Sequence, residues 1–341
     1  MDPVRQVADA VLYEGYLLWP YRRSALKNRQ RWTFGGVYPE AHARASGGPD
    51  ASVMQTECLL EADAGARVDV CVRFLHVVER RVARVAGTTL EPVDELAVGG
   101  ERYLAWDEAT EREVVVPPFD PTAAPPPRVA IDVPAGEAVE RLRAADGPGG
   151  ALVRRWEALR GAVEVASAPR GGRLRRLGVR IANATPWTGG PRDALIRRTL
   201  VAAHTILRVA GGRFVSLMDP PPALREEAAA CRNVGTWPVL AGAEGDRHAM
   251  LSSPIILYDW PRVAPESPGD LFDATEIDQL LVLNVLALTE EEQAEMRASD
   301  PRARAILERC AGLTEDDRMR LHGAIRALRP LRDGGWTSGR T

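Results

Sequence analysis

Lysine is almost missing from this chain: of 44 basic residues only Lys27 is a lysine. A coding bias toward arginine explains that as readily as selection, so the scarcity by itself assigns no chemistry. Cysteine is sparse as well. Cys58, Cys71, Cys231 and Cys310 form no C-x-x-C pair, which excludes a disulfide framework and a zinc ribbon or finger and leaves buried free thiols as the expectation. No run approaches the 18 apolar residues of a membrane-spanning helix. The opening MDPVRQVADAVLYEG lacks the basic start and apolar stretch of a secretory signal, so a soluble, cytoplasmic protein without membrane insertion is expected. Charge of one sign is also wanting. A net charge of −3 gives no global field for nucleic acid or an anionic membrane.

The specific motifs of nucleotide binding, zinc hydrolysis and α/β-hydrolase chemistry are absent too: no Walker loop, no dinucleotide fingerprint, no H-E-x-x-H and no G-x-S-x-G. The glycine pairs 99–100, 171–172 and 211–212 read as turns, since none opens a helix with lysine and serine or threonine behind it. His42, His76, His204, His248 and His322 show no ligand spacing. Neither a metal nor an organic cofactor is called for, and an enzyme is less expected than a binding protein.

What is present is 341 residues, 45% of them apolar, enough for two ordinary domains or one large one with an appendage. Frequent Pro and Gly before residue 270 favour short strands. Val53–Glu61 and Arg67–His76 flank Asp63-Ala64-Gly65 as a hairpin, and Gly100–Trp106 and Arg112–Val116 flank Asp107–Thr110 as another. The stretch 117–128, PPFDPTAAPPPR, reads as a linker because proline has no N–H for a ladder. Residues 136–160 suggest short helices broken at Gly147-Pro148-Gly149-Gly150. Ala162–Ala168 and Arg173–Asn183 return to strand, with Leu174, Leu177, Val179 and Ile181 on a mostly alternating face. Residues 193–209 fit a helix at first and a strand at their end, Gly211-Gly212 a turn, and Arg213–Met218, Val239-Leu240 and Met250–Tyr258 further strands.

Beyond Gly269 the pattern is helical. Asp273–Glu276 and Thr289–Glu292 are capping-box starts, Asp300-Pro301 is an N-cap with proline at the first helical position, and Thr314–Asp317 opens a last helix. The expectation is an α+β fold: a strand-rich, sandwich-like domain over 10–120, a proline-rich linker over 117–135, a second α+β unit over 136–266, a helical module over 270–329 and a disordered tail over 330–341.

The segment Tyr13–Tyr38 holds seven of the 19 aromatic residues and, between 21 and 32, five basic residues without an acid. Tyr, Trp and Arg favour recognition surfaces because rigid rings and planar guanidinium groups desolvate well. Tyr21, Arg22, Arg23, Lys27, Asn28 and Trp32 are therefore candidate partner-binding residues, with Lys27 as an anchor for a carboxylate or phosphate between the flat walls of Tyr21 and Trp32. A solvated turn between strands is the plainer reading of the same residues. The strap 252–270, rich in proline and aromatics, packs on its own domain or forms a partner-binding edge. An alternative enzyme reading gathers His204, Asp219, Cys231 and Glu266 into a pocket: His204 as an imidazole in an apolar run, Cys231 with its thiolate favoured by Arg232. A satisfied core histidine and an inert thiol are the plainer readings of those two.

The segments LYEGYLLWPYRRSALKNRQRWTFGGVYP, AAHTILRVAGGRFVSLMDPP, GTWPVLAG and LSSPIILYDWPRVAPESPGDLFDATEIDQLLVLNVLALTEEE together resemble an uncharacterised family encoded alongside actinobacterial-type high-affinity nickel–iron uptake hydrogenases. The resemblance spans most of residues 10–328. It carries no catalytic residues over; it implies a hydrogenase-associated accessory protein acting in maturation, assembly or electron-transfer support, with a hydrogenase subunit or maturation factor as partner. A metal-assisted or thiol-dependent enzyme and a homo-oligomeric scaffold are the alternatives.

Overall fold

Alternating apolar residues build the molecule around one strand of unusual length. In the computed structural model, which describes residues 2–16, 21–22, 31–32, 34–123, 126–143, 149–262 and 285–312, β1 runs over Val53–Ala86, 34 residues. Met54, Thr56, Cys58, Leu60 and Ala62, then Val68, Val70, Val72 and Phe74, are buried on one face, the period-2 signature of a strand with one side on a core. One edge of β1 pairs in turn with β10 (Leu174–Asn183), β5 (Trp106–Phe119) and β2 (Thr89–Val93). The other edge pairs with β11 (Val201–Val215) and then β8 (Gly150–Trp156). The antiparallel sheet is completed by β6 (Arg128–Val133) on β9 (Leu159–Gly171), β7 (Gly136–Leu142) on β8, and β12 (Trp237–Leu240) on β13 (Ala249–Ser253). The hairpin β3 (Glu95–Val98) and β4 (Glu101–Leu104) stands as a separate ribbon.

The sheet curls on itself, because Phe74 of β1, Val116 of β5, Ile131 of β6, Val163 of β9, Val179 of β10, Phe214 of β11, Leu240 of β12 and Met250 of β13 share one core. Each such buried side chain contributes about 1.5–3 kcal/mol relative to exposure. On the outer side, helix α1 (Pro3–Leu12), capped by the Asp2 carboxylate on the Val4 N–H, seats Val4, Val7, Ala8 and Val11 on Ile206, Ala249 and Leu251. A third cluster joins Leu12, Tyr13, Tyr16, Tyr21, Trp32, Leu75, Val77 and Trp106 to Leu195 and Ile196 of α3 (Arg192–Ile196), Met296 of α5 (Glu290–Ser299) and Ile306 and Leu307 of α6 (Pro301–Ala311). Two further short helices, α2 (Glu40–Ser46) and α4 (Arg225–Ala229), lie at the surface.

An α+β, strand-rich architecture with a C-terminal helical pair is what the chain adopts. Its internal arrangement differs from the expectation in several places. Asp63-Ala64-Gly65 does not turn a hairpin: β1 passes straight through, and the ladder with β11 jumps from Ala62↔Gly212 to Arg67↔Ala210. Gly65 and Gly211, at φ 75° and 72°, absorb the extra residues as a bulge that bends both strands together. A side chain at 211 would press within 3.3 Å of the Ala66 Cα. Asp107–Thr110 likewise lies inside β5, held by pairing with Val77–Glu79 and His76. Residues 136–142 and 150–156 are strands rather than helices. Their register, Val139↔Val153 beside Arg81↔Val153, shows that tertiary pairing overrode weak local helical spacing.

Pro117 and Pro118 sit in β5 where its register against β1 shifts between Val68 and Val70, so the missing N–H groups fall at a ladder defect. The strands on either side of 117–135 belong to one sheet and one core. Both remaining helix starts that fall on described residues are present: Thr289 and Glu292 form the reciprocal capping box of α5, and Asp300 caps α6 with Pro301 at its first position. The starts expected at Asp273 and Thr314 and the tail 330–341 lie outside the described residues.

Candidate functional site

Strand β1 ends its buried run with Glu79-Arg80-Arg81, charged residues in a segment otherwise reading FLHVV and VARV. A strand face carrying such charges must find partners or water. Arg80, only 4% exposed, finds four. Its guanidinium pairs with Glu108 at 2.7 Å and donates to the carbonyls of Leu104 (3.0 Å), Ala298 (3.3 Å) and Ser299 (2.6 Å). The last two are at the C-terminus of α5, where unpaired carbonyls and the helix dipole favour a cation. Glu108 also accepts from Arg154 at 2.6 Å. The arginine thus ties the helical pair to the sheet.

Arg31 is buried beside it, stacked on Trp106 at 3.7 Å and near Trp32 at 4.7 Å, and donates to the carbonyls of Asp107 (2.8 Å) and Tyr16 (3.3 Å). Desolvation lowers its pKa. Asp300, 1% exposed, accepts from the Tyr16 hydroxyl at 2.6 Å and from the Trp106 indole at 3.2 Å while capping α6. Burial, reinforced by the Asp300 charge, holds the Tyr16 phenol well above its usual range.

Outside this anchor opens a cleft of about 1060 Å³. Most of its lining residues are charged: Arg31, Arg80, Arg81, Arg102 and Arg197 face Glu79, Asp94, Glu95, Asp107, Asp193 and Glu295. Arg197 bridges Glu79 (3.1 Å) and Asp107 (3.0 Å), Arg81 meets Glu79 at 3.0 Å, and Arg102 grips Glu95 with two bonds of 2.8 and 2.7 Å. Burial raises the Asp107 pKa against the opposing pull of Arg197. Asp94 and Asp193, both exposed, have no ion-pair partner among the described residues. Their carboxylates are the ones free to take an incoming cation. Pro92, Val93, Leu104, Ala105 and Trp106 add an apolar strip beside these charges, whereas a pocket for a small organic ligand is lined mainly by apolar side chains with only a few polar groups. Such a lining suits an extended, charged polypeptide surface.

The residues singled out from sequence fall elsewhere. Tyr21 is fully buried and Trp32 nearly so, both with positive φ (57° and 68°). They are core side chains under α5 and α6 rather than flat walls for a partner, a correction that follows from their packing with Tyr16, Trp106 and Met296. Arg22 pairs with Glu292 of α5 at 2.8 Å, so it serves the same internal junction. Arg23, Lys27 and Asn28 lie outside the described residues, as does Glu266.

The three described members of the alternative pocket sit in separate surroundings. His204 is buried in the sheet with Nδ1 3.0 Å from the Ala202 carbonyl, beside Arg73, and desolvation brings its pKa down to about 4. Cys231 packs at the end of α4 on the cluster of Leu59, Leu174 and Ala228, its thiol on the Glu227 carbonyl at 3.5 Å. Burial pushes that thiol up to about 11, outweighing Arg176 and Arg170. The thiolate expected beside Arg232 is therefore disfavoured: burial dominates, and Glu57 and Glu227 add to it. Asp219 is exposed in the turn organised by Ser216, whose hydroxyl accepts from its N–H at 2.9 Å. Among the described residues no group of three His, Cys, Asp or Glu side chains is placed to hold a metal ion. The strap from Ile255 to Arg262 packs on its own sheet: Asp259 accepts from the Leu240 N–H (2.8 Å) and Trp260 donates to the Leu240 carbonyl (2.7 Å).

Sequence reading missed Arg31, Arg80, Trp106, Asp107, Asp193 and Arg197. The available signal was the Glu-Arg-Arg triplet inside an apolar strand run. No protein-family model matches the chain, and no curated protein does.

Proposed function

We propose that the protein is a non-catalytic accessory factor that binds another protein through the ionic cleft between β1, the β3–β4 ribbon, α3 and α5. The observation that carries the reading is the lining of that cleft: paired guanidinium and carboxylate groups with Asp94 and Asp193 left over. Charges arranged this way give partner choice and register more than raw affinity. A partner segment presenting lysine or arginine fits the two spare carboxylates. The resemblance of the N-terminal, central and strap segments to proteins encoded with nickel–iron uptake hydrogenases supports a hydrogenase subunit, or a component of the maturation machinery, as that partner. Co-purification of the tagged full chain from its native host under low-salt conditions tests this. Recovery of a hydrogenase or maturation component supports it; recovery of the chain alone, at a salt concentration where surface ion pairs persist, overturns it.

A further inference from the structure

Every edge strand of a sheet presents unpaired N–H and C=O groups, and proteins protect such edges with proline, charge or a covering segment. Three edges here are managed. β12 carries Pro238 and has the Leu240 N–H and carbonyl occupied by Asp259 and Trp260, β2 carries Pro92, and β6 has Pro127 beside it and runs close to β5. β7 is different. It pairs only with β8, contains no proline within Gly136–Leu142, and its five central residues, Glu137 to Arg141, are all exposed. Val139 is 44% exposed on a strand that nothing among the described residues covers.

The side chains of that edge are self-complementary. Glu137, Val139 and Arg141 project to one face, since side chains alternate along a strand. A two-fold axis through Val139 would set a second β7 antiparallel to the first, placing Val139 opposite Val139, Glu137 opposite Arg141 and Arg141 opposite Glu137. Opposite charges directly across an antiparallel pair stabilise it, and like charges destabilise it. Arg141 has no ion-pair partner within the chain among the described residues, whereas Glu137 meets Arg155 and Glu140 meets Arg154. The same register satisfies the ladder whether Val139 or its neighbours turn their backbone groups outward, because residue 138 then falls opposite residue 140.

We propose that the chain forms a two-fold dimer by antiparallel β7–β7 pairing about Val139, joining the two curled sheets through β8-β7-β7-β8. The second copy is favoured over a foreign strand because the charge pattern reads correctly against itself. This inference is independent of the ionic cleft.

Sedimentation velocity over a concentration series, on the full chain and on two variants, is the test. Wild type should show a concentration-dependent dimer. Arg141→Glu sets like charges together at two symmetry-related positions and should weaken dimerisation about tenfold or more, with circular dichroism and melting unchanged. The double variant Glu137→Arg/Arg141→Glu restores opposite charges and should recover the dimer. Val139→Cys should cross-link to a covalent dimer on mild oxidation where wild type does not. A wild type that stays monomeric together with an uncross-linked Val139→Cys overturns the proposal. So does a dimer indifferent to Arg141→Glu, which would use another surface.

Discussion

Arg80 joins three elements through one side chain. It is almost fully buried, and its partners come from β5, the end of β4 and the last turn of α5. Removing one member of a buried charge pair leaves the other uncompensated, at a cost of about 3–5 kcal/mol. Arg80→Met should therefore lower the denaturation midpoint sharply, with Arg154 still holding Glu108 and setting the lower end of that range. Chemical denaturation of the purified variant checks it. His76 and His204 are both depressed to about 4 by desolvation, His76 also by Arg112. The folded state then binds fewer protons than the unfolded one between the unperturbed value near 6.5 and the folded value. Stability contributed by the neutral rings is complete above about pH 6.5 and is lost as pH falls toward 4, on the order of 3 kcal/mol for each ring over the whole window. Denaturation midpoints measured at pH 7.5, 6 and 5 should fall progressively. In His204→Leu, which removes one titrating ring, the fall should be shallower.

At the scale of elements, the helical pair is held by its caps and by what those caps also touch. Thr289 closes a reciprocal box with Glu292, and Thr289→Ala should cost about 1 kcal/mol. Asp300 does more: besides capping α6 it accepts from Tyr16 and Trp106, so Asp300→Ala strands two buried donors and should cost about 2 kcal/mol beyond the cap itself. Thermal unfolding of the two variants in parallel, with Asp300 the more damaging site, is the check. These caps were legible in sequence because each is local, fixed by residues three or fewer apart. Much of the strand architecture was not. Asp63-Ala64-Gly65 has hairpin composition, yet a bulge facing Gly211 uses the same residues, and only the partner strand decides between them. Residues 136–156 carry helical spacing, yet β8 finds a long strand to pair with 70 residues upstream. The cleft was illegible for a related reason: Arg31, Asp94, Asp193 and Arg197 meet only after β1, α3 and α5 have packed. The aromatic density of Tyr13–Tyr38 was visible, but density alone does not say whether rings face outward or in, and Tyr21 and Trp32 face in.

For the whole molecule, the decisive fact is that β1 serves both halves. β10, β11 and β8, from beyond the proline-rich stretch, all pair with it, and β6 and β13 enter the same core. A fragment covering 126–262 should therefore lack a cooperative unfolding transition, because the strand at the centre of its sheet is gone; a sharp two-state melt of that fragment would contradict a single folding unit. The helical pair closes one flank of the ionic cleft through Glu295. Partner binding through that cleft, as proposed above, depends on its two spare carboxylates, so quantitative co-purification of Asp94→Lys/Asp193→Lys beside wild type is the decisive experiment. Both positions are exposed and make no internal ion pair among the described residues, so the fold should persist. Partner recovery should fall about tenfold or more at low salt while the melting curve is unchanged; recovery equal to wild type would rule out binding through these carboxylates.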